Sequence, residues 1–514
     1  MPKLDALLQG LALNTPVPDV EVTGIAVDSR LVQPGDLFFA VVQGVDRYKF
    51  LDQVVGRGAA AVVGERADIE LSIPHIQVAD TRAALAYTSA AFYGYPARHL
   101  TMVGVTGTDG KTTTSNFLYH ILQAAGLKAG MITTVNALIG DQVLDTGFHV
   151  TTPEAFDTQR YLRQMVDTGL THAVQEMTSI GLAQQRGARP IEFDISVVTN
   201  ITHEHLNDHG TYEAYFAAKA VLFEGLSKPF EKARPVERLA VLNRDDKSYD
   251  GLAKRAKVKQ LSYGLHPEAQ LRATDIENHP DSLSFVVHGP GFEFPVYTTM
   301  FGAYNVSNAL AAIGATVVGL GIDAKAAQAG IVSLQGVPGR MERIQLGQDF
   351  TAIVDFAHTP NALKVALEAG RQLTDGKVIA VFGSAGLRDK AKRRMMAEWG
   401  AQLADVSVLT AEDPRTESLD GILEEMAAGA RGKGGKEGET FWRVPDRGAA
   451  ISFALLQAKP GDVVLACGKG HEQSMCFGET EYPWDDRVAM RAALAEMLGT
   501  HGPEMPKLPT SGQV

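Results

Sequence analysis

The stretch "GVTGTDGKTTTSNFL", residues 104–118, constrains this chain more than any other: an apolar strand gives way to a glycine-rich turn, a lysine and a run of threonines that opens a helix. Glycines in such a turn let consecutive backbone N–H groups face one anion, and the positive end of the following helix adds to the attraction. Lys111 can reach the β- and γ-phosphates of a nucleotide, and the Thr112 hydroxyl can ligate magnesium. The strict G-x-x-x-x-G-K-[ST] spacing is broken at its first position, which is Val105 here, with Gly104 and Gly107 on either side. The expected phosphate-binding residues are Gly107, Thr108, Asp109, Gly110, Lys111, Thr112 and Thr113.

A strand that feeds such a loop belongs to a mostly parallel sheet. Around it "HAVQEM", "ISVVTNI" and "LAVLN" are buried-type strands alternating with helical patterns, as in a sheet covered on both faces. At 514 residues the chain is long enough for about three domains. Residues 1–98 hold short apolar runs separated by glycine turns and read as a small α/β domain; residues 99–334 form the central phosphate-loop domain. Residues 335–514 carry "TAIVDFA", "KVIAVFG", "VSVLTAE" and "DVVLACG", strands that each end at a polar turn, and predict a Rossmann-like α/β domain with ligands at those carboxyl ends. The opening "MPKLDALLQGLALN" reads as a short amphipathic helix, "GARGKGGKEGE" as a flexible loop and "THGPEMPKLPTSGQV" as a frayed tail.

Composition excludes several classes. A net charge of -12 argues against a nucleic-acid or membrane-surface binder, which needs an extended basic field. The longest apolar segment, "ALAAIGATVVGLGI", is too short and glycine-rich to span a bilayer. Two cysteines, Cys467 and Cys476, are too few for a disulfide framework, and a reducing cytoplasm is expected.

The turns after the central strands carry the remaining chemistry. "QEMTS" and "TNITHEHLNDHGTYEAYFAAKAVLF" bring Glu176, His203, Glu204, His205, Asp208 and Lys219 to the phosphate side of the sheet, where oxygen and imidazole ligands suit magnesium bridged by phosphates.

Taken in order along nearly the whole chain, the strings "VDSRLVQPGDLFFAVVQG", "GVTGTDGKTTT", "VTTPE", "EMTS", "TNITHEHL", "YFAAKAVLF", "GAYNVSNALAA", "GVPGRME", "VDFAHTPNAL", "FGSAGLRDKAKRRMM", "EDPR" and "GKGHE" resemble the Mur ligases, within them the branch that extends a UDP-MurNAc-dipeptide by one amino acid. The resemblance implies an ATP- and Mg2+-dependent amide ligase that makes an acyl phosphate and couples it to a diamino acid, acting as a cytoplasmic monomer. It implies that Ser29 and Arg30 contact the uridine part of the substrate, Thr151, Thr152 and Thr178 its sugar-peptide part, and Arg186 the diphosphate. Lys111 and Thr112 would hold ATP phosphates, Thr112, Glu176 and His205 would be magnesium ligands, and Lys219 would be carbamoylated to orient a second magnesium. Asn305, Asn308, Arg340, Asp355 and His358 would face the nucleotide, and Arg388, Glu412, Asp413, Arg415, Gly468 and Glu472 the incoming amino acid.

Some strings depart from the family's usual form. E-V-S-S-H is "EMTSI" here, with Thr178 for serine and Ile180 for histidine; D-G-H is "DRY", with Arg47 and Tyr48; D-N-P-R is "EDPR", with Asp413 for asparagine. The first two keep open a ligase with another carboxylate acceptor. A nucleotide-binding regulator without turnover is the other alternative, against which Lys111, Glu176, His205 and Lys219 all stand. Asp413 would repel a carboxylate, which favours lysine or ornithine over meso-diaminopimelate, while Arg415 pulls the other way.

Overall fold

The computed structural model describes residues 1–13, 15–43, 45–144, 152–185, 191–202, 209–279 and 282–512. The chain divides into two compact units, Met1–Arg272 with His288–Phe292 and Ser307–Gly330, and Ala273–Val287 with Glu293–Val306 and Ile331–Val514.

In the first unit the strands Gly24–Ala26, Asp36–Phe39, Ala61–Gly64 and His75–Gln77 form a four-stranded sheet in that order, every pairing parallel. Leu37, Phe39 and Val63 pack on one face with Leu85 and Ala86 of the helix Thr81–Phe92, and Phe38 and Val62 on the other with Leu51 and Val54. Burial on both faces is why "DLFF" and "AVVG" read as unbroken apolar runs. The opening helix is only Leu4–Leu7, with Leu4, Leu7 and Leu8 buried, and Gly10 follows at φ +86°.

Thr101–Thr106 lies at the centre of the larger sheet, parallel to His172–Glu176 on one side and Ile195–Val198 on the other. Ala129–Ile132 continues the sheet beyond the first, and Leu239–Asn243 and Lys259–Gly264 beyond the second. The helix Lys111–Ala124 begins directly after the central strand, so the phosphate loop spans the carboxyl end of the sheet. The predicted strands are all present.

The second unit is built on strands Glu342–Ile344, Thr351–Asp355, Val463–Cys467, Val378–Phe382, Val406–Leu409 and Phe441–Arg443, in that spatial order. Only the first pairing is antiparallel. Helices Pro360–Gln372, Lys390–Leu403 and Leu419–Gly432 cover one face around Phe382 and Leu465; Arg447–Gln457 and Asp486–Leu498 cover the other around Val381 and Val464. The strand latest in the chain among these six, Val463–Cys467, is inserted in the middle, and this brings Asp355 level with Cys467 at the carboxyl ends.

Two segments differ from expectation. The glycine-rich "GARGKGGKEGE" is fixed by ion pairs, Arg431 and Arg443 each pairing with both Glu424 and Glu437. The segment after residue 499 is docked rather than frayed. Leu508 is buried among Ile451, Leu455 and Trp484, and the hydroxyls of Thr510 and Ser511 donate to Asp446 Oδ2. Composition signals chain flexibility only where no specific contact offsets the ordering entropy.

Candidate active site

Glycine's conformational freedom is needed at two points of the phosphate loop. A side chain at Gly107 would put Cβ 1.8 Å from Thr199 Oγ1; Gly110, at φ +82°, would put one 2.3 Å from Asn308 Oδ1. The strand end at Thr199 and Asn200 shapes the turn from outside. Asn200 accepts the N–H of Thr108 on its carbonyl, at 2.8 Å, and that of Asp109 on Oδ1, at 2.9 Å, while Thr199 Oγ1 donates to the Asp109 carbonyl at 2.6 Å.

Inside the loop, Lys111 Nζ donates to the Thr108 carbonyl at 2.9 Å and lies 4.0 Å from Glu176 Oε1. Glu176 is buried, and its carboxylate takes the Thr112 hydroxyl at 2.9 Å and the Thr134 hydroxyl and N–H at 3.0 and 3.2 Å. A buried carboxylate with hydroxyl donors beside a lysine is an oxygen-rich site for a hard cation and its phosphates. Thr113 is buried behind it, and Thr114 Oγ1 joins Asn308 Oδ1 at 3.3 Å. Lys219 is 1% exposed, donates from Nζ to the Gly107 carbonyl at 2.6 Å and stands 4.6 Å over the Tyr215 ring. Tyr215 in turn meets the Thr108 hydroxyl at 2.9 Å. Gly107, Thr108, Asp109, Gly110, Lys111, Thr112, Thr113, Glu176, Lys219 and Asn308 therefore form one constellation.

Nearby, Thr152 and Thr178 share a hydroxyl hydrogen bond at 3.0 Å, and Thr178 caps the helix Ser179–Ala183 by accepting the Gly181 N–H. The threonine in "EMTSI" thus keeps the capping oxygen a serine would supply. Thr151, Arg186, His203, Glu204, His205 and Asp208 lie outside the described residues. Among the described residues no group of three His, Cys, Asp or Glu side chains gathers as a metal centre.

In the four-stranded domain, Ser29 is buried and donates to Gln53 Oε1 at 3.0 Å; Arg30 grips Asp28 through Nε and Nη2 at 3.0 and 2.6 Å. That hydrogen bond holds the Asp28 carboxyl at about 2. Tyr48 accepts the N–H groups of Glu65 and Arg66 on its hydroxyl, so the "DRY" departure is a structural replacement at its tyrosine.

The second unit gathers its residues at the strand ends. Asp355 accepts the N–H of Met341 at 2.7 Å and of Ala357 at 2.8 Å, and the Arg340 guanidinium stacks over Phe356 at 4.4 Å. His358 and His471 pack against the same ring, at 4.4 and 4.9 Å. Burial, with Arg340 next in effect, pushes the His471 imidazole down to about 3. Asn305 is buried and donates to the Phe301 carbonyl at 2.8 Å.

Glu412 is buried beneath Gly468, where φ is +120° and a Cβ would sit 2.8 Å from Glu412 Oε2. Burial pushes its carboxyl up, against Lys392 and Arg447. Asp413 and Arg415 both adopt left-handed backbone, φ +39° and +56°. The Asp413 carboxylate meets Lys469 Nζ at 3.1 and 3.2 Å and accepts the Cys476 N–H at 2.9 Å, so it is engaged inside the protein. An internal ammonium thus offsets the Asp413 charge, which weakens the repulsion it would exert on a distal carboxylate. Glu472 reaches the same ammonium at 2.5 Å. Arg388 is exposed beside the left-handed Leu387.

Sequence reasoning passed over Thr134, Thr199, Asn200, Tyr215, Arg447, Lys469 and His471. Thr199, Asn200, Tyr215, Lys469 and His471 stand inside quoted strings, "TNITHEHL", "YFAAKAVLF" and "GKGHE", and were within reach. Arg447 had no local signal; it is fully buried, paired with Asp486 and donating to the carbonyls of Ala411 and Cys467.

The family description Mur ligase middle domain matches residues 105–316, and Mur ligase, glutamate ligase domain, matches residues 339–470. A UDP-N-acetylmuramyl-tripeptide synthetase of Roseiflexus sp. (strain RS-1) is 42% identical over 506 residues, 96% of this chain and 99% of the relative. A UDP-N-acetylmuramoyl-L-alanyl-D-glutamate–2,6-diaminopimelate ligase of Geobacillus thermodenitrificans (strain NG80-2) is 39% identical over 478 residues, 93% and 95% of the two chains. A solved structure of a ligase with that same name is 29% identical, with a TM-score of 0.65 over 97% of this chain and 99% of the other. With this identity along its whole length, and with the phosphate loop and strand-end loops in place, the chain belongs to the Mur ligase family.

Proposed function

We propose that this chain is an ATP-dependent amide ligase that adds a diamino acid to UDP-N-acetylmuramoyl-L-alanyl-D-glutamate in peptidoglycan synthesis. The observation that carries the reading is the Lys111, Thr112 and Glu176 cluster inside a glycine turn, in a chain 42% identical end to end to a tripeptide synthetase.

An amide does not form from a carboxylate and an amine without a better leaving group. Transfer of the ATP γ-phosphoryl to a carboxylate oxygen of the acceptor makes an acyl phosphate and ADP; the amine then attacks the acyl carbon, phosphate departs with that oxygen, and the amine gives up a proton. Such a transfer is mainly positioning and charge neutralisation. Lys111 and the loop N–H groups from Gly110 onward would hold the phosphates, those of Thr108 and Asp109 being taken by Asn200, and Thr112 and Glu176, both oxygen donors, fit Mg2+, with His205 as a further ligand. When bound, magnesium supplies charge neutralisation on the phosphates. Lys219, carbamoylated, would add an anionic oxygen pair at the Gly107 side of the loop.

Ser29 and Arg30 would bind the uridine part, Thr151, Thr152 and Thr178 the sugar-peptide part, and Arg186 the diphosphate. Asn305, Asn308, Arg340, Asp355 and His358 would contact the nucleotide, and Arg388, Glu412, Asp413, Arg415, Gly468 and Glu472 would shape the amino-acid site. This reading divides the chain into domains at 1–98, 99–334 and 335–514 and makes it a monomeric cytoplasmic enzyme; no described helix is long and apolar enough to cross a membrane. The test is phosphate release by purified protein with ATP, Mg2+, the UDP-linked dipeptide and each of lysine, ornithine and meso-diaminopimelate. Release that requires both the dipeptide and one diamino acid is expected; no release with any of the three would overturn the reading.

A further inference from the structure

Thr152 and Thr178 are tied to one helix turn from the four-stranded domain. The two threonines share a hydroxyl hydrogen bond, and Thr152 Oγ1 also accepts the Thr178 N–H at 3.2 Å. A Cβ at Gly181 would meet the Thr152 side chain at 2.7 Å, so the two segments touch without spare room. Two residues after Thr152, Glu154 pairs with Arg82 Nη1 at 2.9 Å, with side-chain exposures of 28% and 18%. Beyond the helix Ser179–Ala183, which Thr178 caps, Gln185 Nε2 donates to Asp80 Oδ2 at 2.9 Å from a left-handed backbone, φ +56°. Asp80 caps the helix Thr81–Phe92 through its other oxygen, which accepts the Ala83 N–H at 2.9 Å, and Arg82 is the second residue of that helix. One turn therefore grips both segments that carry the threonines.

An apolar contact backs the grip. Phe156, in the first turn of the helix Ala155–Asp167, packs against Phe92 and Tyr93 with ring centroids 6.5 and 5.4 Å apart, and Ala155 is buried in one cluster with Ile25 and Leu85. The sheet beneath Thr81–Phe92 also supports Ser29 and Arg30, which follow its strand Gly24–Ala26. Binding energy from a remote part of a substrate speeds a reaction when fixed contacts carry it to the reacting centre as alignment. Resting on the reading of the function given above, we infer that Asp80 and Arg82 are positioning residues: they fix the uridine end of the acceptor site relative to the threonines at its sugar-peptide end, so that bound uridine aligns the carboxylate to be phosphorylated. Neither residue needs to touch the acceptor.

The experiment compares two acceptors, the UDP-linked MurNAc-dipeptide and the same MurNAc-dipeptide carrying one phosphate in place of UDP, each with saturating ATP and diamino acid. In the wild-type chain the loss of uridine should lower kcat as well as raise KM. Arg82→Met should shrink the kcat ratio between the two acceptors about tenfold, the size of a typical coupling between sites, while the KM for ATP stays within about twofold. Arg82→Lys keeps a cation beside Glu154 and should retain most of the ratio. Gln185→Asn tolerates the left-handed backbone but is too short to hold Asp80, and should shrink the ratio about threefold. A plain staple between helices would lower kcat for both acceptors by the same factor; that result, or an unchanged ratio in both Arg82→Met and Gln185→Asn, would overturn the inference alone, provided the wild-type chain is active. Wild-type protein that turns over neither acceptor with any diamino acid would overturn the functional reading and this inference with it.

Discussion

Replacing Arg447 by methionine tests how the strand-end loops of the second unit are held. The guanidinium is fully buried and makes four hydrogen bonds: to Asp486 Oδ1 at 2.7 Å and Oδ2 at 2.6 Å, and to the carbonyls of Ala411 at 3.2 Å and Cys467 at 2.9 Å. Methionine fills much of the volume but leaves Asp486, also fully buried, with the Trp484 indole N–H at 2.8 Å as its remaining side-chain donor. Removing one partner of a buried ion pair costs about 3–5 kcal/mol, because the other charge stays in place without compensation. At about 2–4 °C per kcal/mol for a domain of this size class, the unfolding midpoint of the second unit should fall by roughly 6–20 °C. Differential scanning calorimetry of the full chain would read it, and Asp486→Asn added to Arg447→Met should recover a large part of the loss, since the orphaned charge is then gone. Ala411 and Cys467 directly precede Glu412 and Gly468, so the KM for the amino acid should rise more than that for ATP. A midpoint lowered by less than about 2 °C, or a double variant no better than the single one, would refute the argument that buried-charge compensation dominates here.

Lys111→Ala should depress turnover by about 10²–10³-fold with the fold retained, because the lysine's contact strengthens as charge moves onto the transferred phosphoryl group; single-turnover ADP formation measures it. Gly110→Ala meets Asn308 Oδ1 at 2.3 Å and is held at φ +82°, with a backbone strain of about 1–3 kcal/mol, so the KM for ATP should rise, as read from initial rates against ATP concentration. His172 is pushed down to about 4, by burial first and the Arg234 charge second. An unfolded chain binds that proton from about pH 6.5 downward whereas the folded one refuses it until about pH 4, so stability falls as pH drops through that window. His172→Gln should flatten this part of a urea-midpoint titration, and an unchanged slope would count against the assignment.

How much of this was legible in the sequence depended on whether the cause was local. The phosphate loop was, because glycine positions and the strand before them are set by backbone geometry within a few residues, and the strands that end at Glu176, Asp355 and Leu409 announced themselves as apolar runs. The order in which those strands pair was not. That Val463–Cys467 is inserted between Thr351–Asp355 and Val378–Phe382 is decided by packing across the whole unit. That Asp413 pairs with Lys469 was not legible for a similar reason: the partner stands 56 residues later. Thr199 and Asn200, which mould the phosphate loop, stand in the legible string "TNITHEHL", but their reach to Asp109, about 90 residues away, is decided by the pairing of the strands. "GARGKGGKEGE" looked loose because composition does not reveal that Arg431 and Arg443 bracket the same two glutamates.

The docked segment at residues 500–512 bears on how the protein is made. Asp446 caps the helix Arg447–Gln457 through Oδ1, and its other oxygen waits for Thr510 and Ser511, while Leu508 fills a place in the core between Ile451 and Trp484. During synthesis the second unit cannot close this side until residue 511 has cleared the ribosome, although the first strand of its six-stranded sheet was translated well over a hundred residues before. Until then the apolar place of Leu508 beside Ile451 and Leu455 stays open to water, the kind of surface a chaperone binds. A stalled or truncated chain ending between residues 500 and 508 would carry every strand of the sheet and still lack this closing contact, which makes it a natural substrate for quality-control proteolysis.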